Sequence, residues 1–310
     1  MTAPAEIKGV SKRFGRVEAL RDVSLVLPAG ELVALVGHNG AGKTTMMKLM
    51  LGLIRPTAGT IRLLGENPAG GDFAVRRQLG YLPENVSFNG VMTGRETLAF
   101  YARLKRAPAG SALELLDRVG LTAAAGRRVA TYSKGMRQRL GLAQALLGAP
   151  RVVLLDEPTT GLDPEFRQTF YDIMLDLRAG GTTLLMSSHA LTELEECADR
   201  VVIMNQGIMV ANGTLAELRR KAQLPSRIVV TMADGIPAER VDSLAPGVAI
   251  RRINGHRVEL ICPDEDKIAV IRQVTAENAG VADLEMVPPG LDEVYAHFLR
   301  LHNGPRGEAS

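Results

Sequence analysis

Eight consecutive residues, Gly37-His38-Asn39-Gly40-Ala41-Gly42-Lys43-Thr44, set backbone freedom, one cation and one hydroxyl in an order that can hold a row of phosphates. The glycines let successive N–H groups turn inward toward phosphate oxygens, and a helix N-terminus behind them adds partial positive charge. Lys43 is placed to reach the β- and γ-phosphates, and Thr44 to offer its hydroxyl to Mg²⁺. An ordinary Gly-rich turn needs no particular flanks. Here an apolar strand-like run, Leu32–Val36, precedes, and Thr45–Leu53 follows with helical composition. A phosphate loop also needs an acidic strand end to manage metal and water, and Val152-Val153-Leu154-Leu155-Asp156-Glu157 supplies one. Asp156 would hold the metal through its water shell, and Glu157 would polarise the attacking water. Neighbouring side chains at a strand tip point to opposite faces, so the two carboxylates can take different roles.

Positioning these groups calls for an α/β core, and the chain reads as one from about Ala5 to Leu218. Val152–Leu155 and Thr183–Met186 are apolar throughout, as central strands buried on both faces require. Glu96–Leu104 and Ala112–Val119 are amphipathic at helical spacing, which predicts a helical subdomain at about 84–131 interrupting the core. Beyond Lys221 the order of elements is strand, helix, strand, strand, helix, strand. Arg227–Ala233, Pro237–Ser243, Val248–Ile253, Arg257–Cys262, Asp266–Asn278 and Val281–Val287 fill those places, with Asn254-Gly255 turning the hairpin. That βαββαβ order predicts a small α+β, ferredoxin-like domain, followed by a helix near Leu291–Leu301 and a polar tail to Ser310. The expected domains are 1–222 and 223–310.

At 310 residues, with 46% hydrophobic and 23% charged residues, the composition is that of an ordinary globular protein. No apolar run approaches the ~18–20 residues needed to cross a bilayer, and Met1–Val10 has no long apolar core of the signal-peptide kind. Cys197 and Cys262 stand apart and indicate neither a disulfide framework nor a zinc site; buried thiols of a reducing, cytoplasmic setting are expected. A net charge of +3 gives no case for a nucleic-acid partner. Of the 12 methionines, Met46, Met47 and Met50 fall where core packing, not copper ligation, is expected.

Between the phosphate loop and the acidic strand lies Tyr132-Ser133-Lys134-Gly135-Met136, followed by Arg137-Gln138-Arg139. With these in place, residues 5–218 resemble the ABC transporter ATPases. Phe14 stands where that family has an aromatic ahead of the phosphate loop, Gly37–Thr45 form the loop, and Glu84 holds the Q-loop position. Ser133–Met136 match the LSGGQ-type signature, Asp156-Glu157 the Walker B pair, Gly161-Leu162-Asp163-Pro164 the D-loop and His189 the switch histidine. The resemblance implies a P-loop ABC ATPase fold that binds ATP and Mg²⁺. Phe14 would stack on adenine, and Gly37, His38, Asn39, Gly40, Ala41, Gly42, Lys43, Thr44 and Thr45 would hold the phosphates. Thr44, Glu84 and Asp156 would serve the metal; Glu157, His189 and Lys43 would carry catalysis. The family traps ATP between two chains, so a homodimer is implied, with Ser133 and Gly135 facing the γ-phosphate of the opposite subunit and Asp163 aligning the facing site.

Two departures stand out. Glu84 replaces the usual Gln, giving a stronger Mg²⁺ ligand that cannot donate a hydrogen bond, and Lys134 replaces the first glycine of the signature. Both look like ATPases that drive exporter-type permeases on separate chains. His38, Tyr81–Phe88, Tyr132–Gly148 and Pro288–Tyr295 further resemble the NosF group, the ATPases of complexes that mature the copper centres of nitrous oxide reductase. That implies a NosY-like integral membrane permease and a NosD-like periplasmic component, with the ATPase peripheral on the inner face of the membrane. Open alternatives are a drug, polysaccharide or lipid exporter ATPase of the same subclass, and a soluble ABC protein of ribosomes or DNA repair. Residues 225–303 fit either a dimer strut or a ligand-sensing module.

Overall fold

Runs that are mainly apolar on both faces cannot leave a face to water, and three of them form the middle of a sheet. Leu32–Val36, Val152–Asp156 and Thr183–Ser187 are buried at all five residues each. The structure, a computed structural model, describes residues 3–70, 73–108, 110–276 and 279–303, and divides into two units, Met1–Thr214 and Leu215–Ser310.

The first unit begins with β1 (Ala5–Phe14), β2 (Val17–Leu27), β3 (Leu32–Val36), α1 (Lys43–Met50), β4 (Ala58–Leu63), α2 (Phe73–Arg77) and β5 (Leu79–Leu82). It continues with α3 (Gly94–Lys105), α4 (Ser111–Arg118), α5 (Lys134–Leu146), β6 (Val152–Asp156), α6 (Pro164–Ala179), β7 (Thr183–Ser187), α7 (Leu191–Cys197), β8 (Arg200–Asn205) and β9 (Ile208–Gly213). One sheet is antiparallel, in the order β2-β1-β4; the other runs β5-β6-β7-β3-β8-β9, parallel except for its last strand. Met46, Met47 and Met50 of α1 pack into the core with Leu35, Leu154 and Leu185, as gap-filling thioethers do. Because β3, β5, β6 and β7 are parallel, the segments that follow them leave from one edge of the sheet, where ligands of open α/β folds bind.

Between β5 and β6 the chain is helical, with α3, α4 and α5. A capping box opens α3: the Thr93 hydroxyl accepts from the Glu96 N–H at 3.2 Å and the Glu96 carboxylate from the Thr93 N–H at 2.8 Å. Its far end is anchored by Lys105, whose Nζ donates to the carbonyls of Leu79, Leu147 and Ala145 at 2.9, 3.2 and 3.3 Å. Burial pushes the Lys105 ammonium down to about 8. Its folded-state pKa lies below the unfolded value, so between pH 8 and about 10.5 the unfolded chain binds more protons and stability rises with pH. Denaturant unfolding at pH 8 and pH 10 is expected to show the stability gap between the parent and Lys105→Met moving in the parent's favour at the higher pH. A gap that is constant or moves the other way would contradict this.

In the second unit, α8 (Leu215–Ala222), β10 (Ser226–Met232), α9 (Arg240–Leu244), β11 (Ala249–Arg252), β12 (Arg257–Cys262), α10 (Lys267–Val274), β13 (Val281–Val287) and α11 (Leu291–Asn303) follow in turn. The sheet order is β11-β12-β10-β13 and every neighbouring pair is antiparallel. Ile228, Val230, Val258, Leu260 and Cys262 meet Val241 of α9 and Val270 and Val274 of α10 in a separate core. The sequence reading placed residues 215–222 with the first domain. In the structure α8 belongs to the second unit, packing on α11, with Arg219 Nε donating to Pro289 O at 2.6 Å. Asn254-Gly255 lies in the hairpin, but the loop is wider than a two-residue turn. The Asn254 side chain fixes it, accepting from the His256 and Arg257 N–H groups at 2.9 Å each. Helix α10 stops at Val274, short of the expected Asn278; residues 277–278 and the tail from 304 to Ser310 lie outside the described residues. Among the described residues no helix is long and apolar enough to cross a membrane.

Candidate functional site

The edge formed by the carboxyl ends of β3, β5, β6 and β7 opens into a cleft of about 690 Å³, within the usual size of a small-molecule site. One wall is the loop from β3 to α1. Gly37 has no room for a side chain: a Cβ there would stand 2.6 Å from Met204 O and 2.8 Å from Ala41 Cβ. Gly42, the N-cap of α1, has φ +105 and comes within Cβ contact of Leu20 and the Ala19 carbonyl. These close approaches aim the His38–Thr45 backbone into the cleft, which all eight residues line. His38 ties the loop to β8, with Nε2 2.8 Å from Asn205 Oδ1 and Nδ1 2.7 Å from Asn39 O. Lys43 is the first residue of α1 and only 7% exposed; its Nζ donates to Gly37 O at 2.6 Å. Burial lowers its pKa, while the carboxylates of Glu157, Asp156 and Glu84 pull the other way.

The opposite wall carries those acids. Asp156 ends β6 and Ser187 ends β7, side by side in register. Ser187 Oγ donates to Asp156 Oδ1 at 2.7 Å and accepts from the Glu157 N–H at 3.0 Å, so one hydroxyl fixes both acidic residues. Glu157 adopts the left-handed conformation, φ 48, which turns the chain sharply out of the strand. Its Oε1 is buried without a hydrogen-bond partner, 3.1 Å from His189 Nε2 and 3.9 Å from Lys43 Nζ. Burial raises the Glu157 pKa; His189 and Lys43 oppose that, and Asp156 reinforces it. A carboxylate with an unclaimed buried oxygen facing a polar cleft can accept a proton from water held there.

The structure thus gathers His38–Thr45, Glu84, Asp156, Glu157 and His189 in one cleft. Thr44, Asp156 and Glu84 offer oxygen donors alone, the set that suits a hard cation. Among the described residues no group of three or more His, Cys, Asp or Glu side chains could hold a metal by itself. Mg²⁺ keeps waters and takes phosphate oxygens beside one or two protein ligands. The donor set therefore fits Mg²⁺ carried with a nucleotide.

Five expected residues do not line the cleft, and one of them, Gly37, stands behind the loop with its carbonyl accepting from Lys43 Nζ. Phe14 is not in the cleft lining; it is 49% exposed, with the Lys12 ammonium 4.9 Å above its ring. Ser133, Gly135 and Asp163 also stand outside the cleft of their own chain. Ser133 caps α5, accepting from the Met136 N–H at 3.1 Å, and Asp163 caps α6, accepting from the Phe166 N–H at 2.9 Å. That N–H and the Arg139 guanidinium hold the Asp163 carboxyl below its ordinary range. Sequence reasoning missed Val17, Glu18, Ala19, Arg21, Thr160 and Gln206, which also line the cleft. Their only sequence signal is proximity to Phe14, Glu157 or the β8–β9 turn.

Comparison with known proteins agrees with this geometry. The profile of a family described as ABC transporter matches residues 20–160. The chain is 33% identical over 308 residues to the doxorubicin resistance ATP-binding protein DrrA of Mycobacterium tuberculosis, covering 93% of this chain and 91% of that protein. It is 33% identical over 320 residues to the daunorubicin/doxorubicin resistance ATP-binding protein DrrA of Streptomyces peucetius, covering 100% and 95%. A solved ATP-binding subunit of an ABC transporter superposes with a TM-score of 0.67 at 34% identity, covering 71% of this chain and 93% of that one.

Proposed function

Because this chain belongs to the ABC transporter ATP-binding proteins, we propose that it is the motor of a drug exporter, a homodimer driving a membrane permease on a separate chain. ATP hydrolysis coupled to transport, with ATP and Mg²⁺ as the bound pair, comes with the family, as do pairing of the ATPase domains and attachment to a permease. The cargo is carried by one observation: similarity to the two resistance proteins runs through 93–100% of the chain, so it includes the second unit. The narrower copper-centre reading, with NosY-like and NosD-like partners, rests on His38, Tyr81–Phe88, Tyr132–Gly148 and Pro288–Tyr295 alone, and the relatives favour the drug-export alternative. The second unit is read as ferredoxin-like; its all-antiparallel order β11-β12-β10-β13 supports that reading.

In the proposed cycle two copies close around two nucleotides, each phosphate loop facing the partner's Ser133. The His38–Thr45 amides and Lys43 bind the β- and γ-phosphates. Bound Mg²⁺ would neutralise charge developing on those oxygens. Asp156 and Thr44 would hold the metal, Glu157 takes the proton from the attacking water, and His189 orients Glu157 and contacts the γ-phosphate. The deciding experiment co-expresses the chain with its cognate permease in a drug-sensitive host and measures doxorubicin accumulation. Lower accumulation, abolished by Glu157→Gln, is the expected result. Unchanged accumulation together with copper-depleted nitrous oxide reductase in the mutant source organism would return the cargo to the copper-centre reading.

A further inference from the structure

Helix α5 begins after its cap Ser133, and one of its faces lies against the segment that starts at Glu157. Residues 134, 135, 138 and 139 share that face. At its near end the Lys134 side chain covers Gly161, where a Cβ would stand 3.0 Å from Lys134 Cδ; a Cβ on Gly135 would stand 3.1 Å from Gly161 O. One turn further, Gln138 is 2% exposed, and its Nε2 donates to Pro158 O at 3.2 Å. Beside it, Arg139 pairs with the Asp163 carboxylate and lays its guanidinium 4.1 Å from the centre of the Phe166 ring. The Arg139 Nε is buried with no hydrogen-bond partner, so the side chain is held by the ion pair and the ring. Between these two anchors the segment folds into successive turns, Thr160 N–H to Glu157 O at 3.2 Å and Leu162 N–H to Thr159 O at 3.1 Å. Pro158 adjoins Glu157, whose backbone is already in an unfavourable conformation and whose Oε1 has no hydrogen-bond partner. His189 and Lys43 approach the carboxylate from one side, and its place depends also on what holds the backbone around it.

We propose that Gln138 and Arg139 are positioning residues. They clamp residues 158–163 to α5, so that the setting of α5 fixes the setting of Glu157 in the same subunit. The clamp rests on the geometry above. Its use as a link between the two nucleotide sites rests in addition on the reading that Ser133, at the tip of α5, meets the partner's γ-phosphate. Contact made by Ser133 at one site would then set the base of the other through about one turn of helix and two side chains. Neither residue touches the nucleotide cleft, so the clamp acts on turnover and not on nucleotide affinity.

The test uses the full chain and measures kcat, KM for ATP, nucleotide affinity by fluorescence titration and Tm. Arg139→Gln removes the ion pair and the cation over Phe166; Gln138→Glu keeps the shape and removes the donor to Pro158. Each is expected to lower kcat by roughly 10- to 100-fold, the cost of a misplacement on the order of 1 Å, with KM and affinity within about 2-fold. Arg139→Lys keeps the charge without the fork and should recover most of the loss. A kcat unchanged in Arg139→Gln and Gln138→Glu overturns the clamp. Loss that follows Tm alone, equal in Arg139→Lys and Arg139→Gln, also overturns it. Ser133→Ala separates the two premises. If Ser133→Ala leaves kcat intact while Arg139→Gln lowers it, the link between sites fails and the clamp stands. If Ser133→Ala lowers kcat and Arg139→Gln does not, the clamp fails alone.

Discussion

Glu157→Gln is expected to bind ATP with near-parental affinity, to hydrolyse it about 10²- to 10⁴-fold more slowly, and to accumulate as a closed dimer in ATP. The substitution is close to isosteric, and the contact that places this residue is its backbone N–H to Ser187 Oγ, which the amide keeps. Lys43 and the loop amides are untouched, so the phosphate cradle survives. What disappears is a carboxylate beside the cleft that combines a buried, unclaimed acceptor oxygen with contact to His189. Burial raises the parent carboxyl, so the acid limb of kcat should lie above the ordinary glutamate range, since the base works only when ionised. In Glu157→Gln that limb should vanish along with the rate. Light scattering with and without ATP reports the dimer, and phosphate release reports the rate. Parental turnover, or a chain that stays monomeric in ATP, would remove Glu157 from the role of base.

Lys43→Ala should fail at the step before. Its ammonium is positioned by Gly37 O and buried to 7% exposure, so little further ordering is needed when phosphate arrives. Hydrogen bonds to charged groups contribute about 1.5–3 kcal/mol each, so losing one such contact should weaken ATP binding by roughly 10- to 150-fold. AMP, which lacks the phosphates Lys43 reaches, should bind both proteins alike. A second effect has a definite sign. Lys43 holds the Glu157 carboxyl down, so its removal should raise that group further and move the acid limb of any residual ATPase to higher pH. Fluorescence titration with unchanged ATP affinity would sink the assignment.

Much of this site was legible in the chain because its chemistry is local. Gly37–Thr44, and Asp156 next to Glu157, are contiguous runs whose residue types and flanks specify both a conformation and a task. The order of the sheet was not legible. Nothing near Val152 announces that its strand will pair with Thr183 on one side and Leu79 on the other, because those pairings join residues tens of positions apart. The same distance hid Arg21 and Gln206: Arg21 reaches the Gln206 carbonyl at 3.0 Å across 185 positions, and neither residue type signals a binding wall. Phe14 shows the opposite case. Its place in a sequence pattern is clear, yet an exposed ring at a strand end finds its position only with something to stack on. In the second unit, β12 and β13 begin and end at the expected residues, since alternation defines a strand from within. The assignment of Leu215–Ala222 was lost because an amphipathic helix says which face it buries but not against which partner.

The left-handed turn at Glu157 has a bearing on how this protein can be improved. Backbone of that kind costs of order 1–3 kcal/mol in any residue with a full side chain, and glycine or asparagine would relieve it. A thermostability screen that scores folding alone would therefore select such replacements at position 157, and its best-folded winners would be inert. The chain carries a deficit in robustness at a residue where comfort and turnover are incompatible, and engineers should exempt that position before they begin.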